Sequence, residues 1–416
     1  MMEQQKDIIV IGGGIIGVSV AYYLAKQGHG VTIIEKDDIG AGSSYGNAGL
    51  IANGFSMPIA APGVPIQGLK WLFDKSSPFY IKPRLNFDLI SWLWKFSRAC
   101  TEKQMRQSIP ILLSLGQGSL DLFDELLAKE NIDCDFKKKG RLILFTSEEN
   151  FDAWKSDVAL IREFGVSVSL LDADGVRQLE PNVLPSVRHG IYCESYAHVN
   201  PGQFVQEMAQ MAKKEGIEIK TGTSVLGFET SGHQLMSVVT TAGKFVPNQV
   251  VLAAGAWSPE VIRDLKLKLP IQPAKGYSLT YKRPPTGPKL PLQLSERKVA
   301  VTPMGDLLRF TSTLELAGFD PSINQLRIEA IRRSAREYLP GIEALEQEEA
   351  WSGYRPATPD DLPIIGRSKM YKNLILATGH GSLGMTNGLI TGKLVSQIVA
   401  GEQPLINIEH LRAERF

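Results

Sequence analysis

Hydrophobic positions first recur as an unbroken run, Ile8-Ile9-Val10-Ile11. It is too short for a helix and suits a strand buried on both faces. A helical pattern follows from Ile15 to Gln27, and a second β-branched run, Val31-Thr32-Ile33-Ile34, ends at Glu35. The same alternation returns late in the chain. Gln203 to Lys214 predicts a helix, Ile217 to Thr221 and Ser224 to Glu229 predict strands, and a hairpin is expected around Gly232 and Gly243. Gln249 to Ala253 reads as a buried strand closed by Ala254-Gly255-Ala256-Trp257, and Asn373 to Ala377 as another that leads into a helix ending at Val399. Between these blocks the period changes. Residues 105–130 carry an amphipathic helix and Phe151 to Phe164 another, while Arg141 to Phe145 and Val187 to Val199 predict strands. Lys268 to Glu315 breaks into short runs separated by proline and glycine, the mark of an antiparallel sheet, and Asn324 to Tyr338 is a helix of alternating charge.

The pattern predicts an α/β protein in two units, as 416 residues exceed one ordinary core. A Rossmann-like dinucleotide-binding domain is expected from residues 1–57, 200–230, 249–262 and 358–416. A discontinuous α+β substrate domain with an antiparallel sheet is expected from 58–199 and 263–357. Within it, residues 58–100 alternate proline with Trp71, Leu72, Phe73, Phe79, Tyr80, Trp92, Trp94 and Phe96, among Lys70, Lys75, Lys82, Arg84, Lys95 and Arg98. Two readings stand: short helices packed on the body, or a patch that meets a membrane interface.

Composition narrows the class. A net charge of +1 leaves no nucleic-acid footprint. Cys100, Cys134 and Cys193 are scattered without a CxxC, which excludes a disulfide framework, a zinc site of the usual spacing and a redox dithiol. No apolar run approaches the roughly 20 residues of a membrane span, and the first strand follows so closely on Met1 that no signal peptide is expected. The expected location is cytoplasmic, either free or peripheral on the inner face of the cell membrane.

The chemistry is densest at Gly12-x-Gly14-x-x-Gly17 between the first strand and its helix. The first glycine allows the tight turn, the second lets backbone reach a pyrophosphate, and the third lets helix and strand close up. Ile15 and Ile16 then present helix-start amides to phosphate. Glu35, roughly 20 residues on, is placed to accept from a ribose hydroxyl, with Lys36 beside it. Gly42, Ser43, Ser44, Asn47, Gly49 and Leu50 form a loop of small and hydroxyl residues suited to the far side of a pyrophosphate and to a flat ring. Val225, the turn Ala254, Gly255 and Trp257, and the glycine loop Gly379-His380-Gly381-Ser382-Leu383-Gly384 with Thr386 complete the candidate cofactor set. His189 and His198 flank a strand and are read as structural histidines.

These motifs, with Trp351-x-Gly353-x-Arg355-Pro356-x-Thr358-Pro359-Asp360 and Lys275-Gly276-Tyr277-Ser278-Leu279-Thr280, resemble the FAD-dependent D-amino acid oxidase superfamily over essentially the whole chain. Within it they look most like the branch of bacterial D-amino acid dehydrogenases (small subunit). The resemblance implies FAD, bound non-covalently because no cysteine lies near Gly353. It also implies hydride removal from an amino-acid α-carbon to flavin N5, and electrons passed on to a quinone-type acceptor. Arg355 matches the family's carboxylate-binding arginine. Tyr277 either lines the pocket or is a core tyrosine, and His380 either makes a polar contact or packs. Two departures stand out. Asp360-Asp361 replaces the usual Asp-Gly, so an altered turn is expected. Ala197-His198-Val199-Asn200-Pro201-Gly202 looks more like relatives acting on D-proline or D-hydroxyproline. The alternatives are therefore such an imino-acid dehydrogenase, a peroxide-forming oxidase of glycine or sarcosine type, and a non-catalytic electron-relay subunit.

Overall fold

The computed structural model describes residues 4–54, 57–71, 79–82 and 84–416. One sheet has eight strands, and its centre is parallel: Glu218–Lys220, Val31–Ile34, Gln4–Ile11, Gly243–Leu252 and Leu374–Thr378 lie side by side. The hairpin Val225–Ser231 and Gln234–Thr240 extends it on one edge, so the stretch around Gly232 and Gly243, which the segment boundaries above leave outside both units, belongs to this sheet. Apolar runs such as Ile8 to Ile11 are 3% exposed or less, because both faces are covered, one by helices and the other by the hairpin and residues 262–271. Helices Ile15–Lys26 and Gly384–Ala400 cross on the first of them. Their approach is close: a Cβ at Gly392 would fall 2.6 Å from the Ser19 carbonyl oxygen.

The second sheet has nine mainly antiparallel strands from residues 79–81, 141–193 and 272–357. Along Gln272–Lys282, Tyr277, Leu279 and Tyr281 face helix Gln325–Arg336 and share a core with Ile328 and Ile331. Gly276, just before Tyr277 in sequence, presents the opposite face, which turns toward the first sheet. The long helix Glu102–Lys129, capped by Thr101, packs against the first unit. Leu50–Ile51, Lys137–Lys138 and Ala197–His198 pair as a third small sheet that ties the two units together.

In the aromatic segment, helix Phe87–Ala99 is capped by Asn86, buries Leu89 and Trp92, and fixes Trp92 by an indole N–H bond of 2.9 Å to the Ala357 carbonyl. Its other face leaves Phe87, Ile90 and Trp94 more than half exposed. Leu72, Phe73 and Lys75 of that segment lie outside the described residues.

Candidate active site

A cavity of about 470 Å³ opens at the C-terminal ends of the parallel strands, between the two sheets. That is where an open α/β sheet receives its ligand. Gly12 sits at φ +112°, and a Cβ there would collide with the Ala253 carbonyl. A Cβ at Gly17 would collide with the Gly12 carbonyl, so the helix can dock on the turn only without one. Gly14 caps helix Ile15–Lys26 with no side chain, leaving the amide end of the helix facing the cavity. Ser44 Oγ accepts from the Ile15 N–H at 2.9 Å. Glu35 accepts from the Gly13 N–H at 2.6 Å and from the Asp37 N–H at 2.9 Å, so one carboxylate holds the glycine turn and its own loop together.

The neighbouring loop is knotted by its own side chains. Asn47 Nδ2 donates to the Ser43 and Ser44 carbonyls at 3.0 Å each, and its oxygen accepts from the Gly49 N–H at 2.8 Å. Ser43 Oγ donates to the Tyr354 carbonyl, joining this loop to the second sheet. The Lys36 ammonium lies 3.9 Å from the Trp257 ring centroid, and Trp257 stacks on Phe319 at 5.1 Å. Tyr354 meets both rings edge-on.

Arg355 stands on the cavity wall at the end of strand Gln347–Ala357. Its guanidinium lies across Gly276 on the adjacent strand, where a Cβ would strike it. Nη1 donates to the Thr313 carbonyl at 3.1 Å. That carbonyl is turned toward it by a register break in strand Leu307–Leu316, at which Thr313 takes φ +72°. A β-branched residue in the left-handed region is strained. No carboxylate pairs with Arg355 among the described residues, and burial alone lowers its pKa, to about 10. It therefore remains a cation at neutral pH, with donors to spare.

His380 is 3% exposed, and its Nε2 lies 2.9 Å from Thr391 Oγ1. Burial pushes its pKa down to about 3, so the ring is neutral and tethered along the helix. Tyr277 lies elsewhere. It is 1% exposed in the second sheet's core, its hydroxyl donates to Glu315 at 2.9 Å, and it does not line the cavity. At the Asp360-Asp361 turn, Asp361 takes φ +61°, the left-handed conformation that a glycine would adopt there.

The cavity brings together Gly12, Gly14, Ile15, Ile16, Glu35, Lys36, Gly42, Ser43, Ser44 and Asn47 with Val225, Ala254, Gly255, Trp257, Arg355, His380, Gly381, Ser382 and Gly384. Gly17, Gly49, Leu50, Gly379, Leu383 and Thr386 stand behind its wall. Thr386 Oγ1 donates to the Leu50 carbonyl at 3.1 Å and accepts from the Ala52 N–H at 3.0 Å, pinning that strand to the helix start. Also on the wall are Tyr354, Glu260 and Arg263, which sequence reasoning passed over. Tyr354 lay inside a quoted motif, whereas Glu260 and Arg263 carry no local signal. None of Cys100, Cys134 and Cys193 lines the cavity. Ala197-His198-Val199 does not line it either: it is framework, with His198 1% exposed and the Val199 N–H donating to the Gly49 carbonyl at 2.9 Å.

Residues 7–398 match the family described as FAD dependent oxidoreductase. The chain is 34% identical over 416 residues to a D-amino acid dehydrogenase of Vibrio atlanticus, covering 99% of this chain and 100% of that one. It is 35% identical over 424 residues to a D-amino acid dehydrogenase of Methylobacterium nodulans, covering 98% and 99%. Among solved structures it is similar to glycine oxidase from Bacillus cereus, with TM-score 0.78, 23% identity and 96% of each chain covered. It is also similar to L-proline dehydrogenase from P. horikoshii, with TM-score 0.75, 21% identity, and 100% of this chain and 98% of that one covered.

Proposed function

The chain belongs to the FAD dependent oxidoreductase family, and from that premise we propose that it is a dehydrogenase of D-amino acids. The observation that carries this reading is Arg355, a guanidinium on the cavity wall without a carboxylate partner among the described residues. Its planar fork matches a carboxylate with two parallel hydrogen bonds. The Thr313 carbonyl and the bare surface of Gly276 fix its aim.

The residues of the cavity suit FAD. The helix start at Gly14, its Ile15 N–H already taken by Ser44 Oγ, turns its remaining amide end and the Ser44 hydroxyl toward a pyrophosphate. Glu35 offers a ribose its carboxylate, and the glycine loops at 254–255 and 379–384 let backbone approach a ring. Bound FAD supplies the hydride acceptor. This chain's part would be to hold the substrate by its carboxylate so that the α-hydrogen is presented in one orientation, and to keep His380 neutral on the cavity wall. Loss of the α-hydride with the nitrogen lone pair forming C=N gives an imino acid. Water then releases ammonia and a 2-oxo acid, while a cyclic substrate stops at the imine.

For the acceptor, the reading is a quinone reached at a membrane surface. Among the described residues no helix is long and apolar enough to cross a membrane. Helix Phe87–Ala99 instead turns Phe87, Ile90 and Trp94 outward, with Arg98 4.8 Å from the Trp94 ring centroid and Lys82 and Lys95 close in sequence. Apolar rings among cations suit an anionic lipid interface.

The test is an anaerobic titration of the flavin absorbance with D-alanine, D-proline, D-hydroxyproline and their L-enantiomers. Bleaching by D-compounds alone supports the reading, and the most effective of them names the branch. Slow recolouring on admitting air separates a dehydrogenase from an oxidase. No bleaching by any D-compound refutes the reading.

A further inference from the structure

The turn that follows Arg355 carries two adjacent carboxylates in opposite circumstances. Asp360 is held by Arg415, whose Nε and Nη2 reach it at 2.7 Å and 3.0 Å. Asp361 has no cation among the described residues. One of its oxygens accepts from the Ile59 N–H at 3.0 Å. The other lies on the side-chain side of Gly381, where a Cβ would fall 3.0 Å from it. Gly381 is part of the cavity wall. A single carboxyl thus bonds the turn after Arg355 to segment 57–61 and lies against the glycine loop 379–384. It does so from φ +61°, a backbone conformation that favours glycine, so the chain keeps a side chain where its backbone would sit more easily without one.

We propose that Asp361 is a positioning residue: ionised, it ties segment 57–61 to the cavity wall, and uptake of one proton loosens the tie and weakens substrate capture at Arg355. The proposal rests on the dehydrogenase reading for its substrate, though the tie itself does not.

The charges around it define the proton's effect. Segment 57–61 contains no titratable side chain. His380, next to Gly381, is kept neutral by burial. On its own turn, Asp360 is already paired with Arg415, and its remaining field disfavours a second negative charge. Burial is the larger cause, and together they raise the Asp361 pKa to about 7, so the ionisation falls where the cell's pH can act on it. A carboxylate takes an N–H in a charge-assisted bond, whereas a carboxylic acid is a poorer acceptor and must find a partner for its own proton.

Hydrogen exchange of the FAD-loaded protein reads the tie without substrate. After correction for intrinsic rates, a wild-type peptide covering 57–61 is expected to lose about tenfold of its protection as pH falls from 8 to 6, the weight of one charge-assisted hydrogen bond. Asp361→Asn and Asp361→Gly are expected to show no such step. The glycine variant relieves the left-handed strain and guards against a simple folding failure. In parallel, the wild-type KM for the best D-substrate rises on acidification while kcat moves less, and both variants lack that KM step. Wild-type protection that is level across pH 7, or an Asp361→Asn profile that follows the wild type, overturns the proposal. Absence of turnover with any D-substrate, with the exchange step intact, removes only the dehydrogenase reading.

Discussion

Replacing Arg355 by lysine keeps the charge and removes the fork. In the structure Nη1 is committed to the Thr313 carbonyl, so Nε and Nη2 are left for a substrate carboxylate. Lysine reaches as a single point donor and cannot serve both carboxylate oxygens and Thr313 in that plane. One hydrogen bond to a charged group is then lost, about 1.5–3 kcal/mol, which corresponds to roughly 10- to 150-fold in kcat/KM. Burial raises this toward the upper end, because a carboxylate left half-satisfied cannot turn to water instead. The assay is anaerobic single-turnover bleaching of the flavin over a range of D-substrate, which separates binding from the reductive step. The ratio of flavin to protein absorbance must stay at the wild-type value, since the cradle residues are untouched. An Arg355→Lys protein that turns over within threefold of wild type would refute the carboxylate assignment. So would one that loses its flavin, because Arg355 would then be part of the cofactor site.

Tyr277→Phe separates core from catalysis: removing the hydroxyl that donates to Glu315 at 2.9 Å leaves a buried acceptor short, so stability falls by about 1–3 kcal/mol in denaturant unfolding while kcat/KM stays within twofold. Gly12→Ala places a methyl against the Ala253 carbonyl at φ +112°, and the purified protein is expected to be colourless at 450 nm or nearly so (about tenfold less flavin). Asp361→Asn alters the pH dependence of stability. The folded carboxyl titrates near 7 against 3.8 unfolded, so between those values the folded state holds a proton that the unfolded chain has released. Wild-type stability therefore falls as pH rises from about 4 to about 7, by at most about 4 kcal/mol, and the amide variant escapes the loss. Its melting temperature should gain on wild type between pH 4 and 7; a constant difference would show that Asp361 does not titrate there. Phe87→Asp with Trp94→Asp should abolish co-sedimentation with anionic vesicles and leave flavin reduction unchanged, since both side chains point away from the body.

Much of the fold could be read from the chain because its signals are local. Ile8 to Ile11 is apolar without alternation, and only a strand covered on both faces accommodates that. Gly12 and Gly17 are demanded by contacts within one strand–turn–helix unit, so their spacing carries the geometry with it. Tyr277 shows what a motif alone leaves undecided. Tyr277, Leu279 and Tyr281 share one face of their strand and Gly276, Ser278 and Thr280 the other, and both faces are buried. Which face meets the cavity depends on the sheet's orientation, a long-range property. Glu260 and Arg263 were invisible for a related reason. They reach the cavity only because the turn after residue 257 folds back along its edge, and nothing in their neighbours predicts that.

The two units are not independent modules, and the turn after Arg355 explains why. Strand Gln347–Ala357 ends the second sheet, and strand Ile364–Arg367 of the first begins seven residues later. Within that span Thr358 Oγ1 donates to the Leu362 carbonyl at 2.8 Å, Asp360 is locked to Arg415, and Asp361 holds Ile59. Arg355 is thus fixed to the first sheet by a short, internally bonded connection. A long linker would let the carboxylate site drift against the ring it must serve, and about 1 Å of misplacement is enough to cost two orders of magnitude in rate. Lengthening this turn by one glycine after Pro359 is therefore expected to lower kcat far more than flavin content, with kcat read from anaerobic bleaching and flavin from absorbance. If both fell together, the turn would be serving the cofactor site alone, and the rigid coupling argued from these bonds would be wrong.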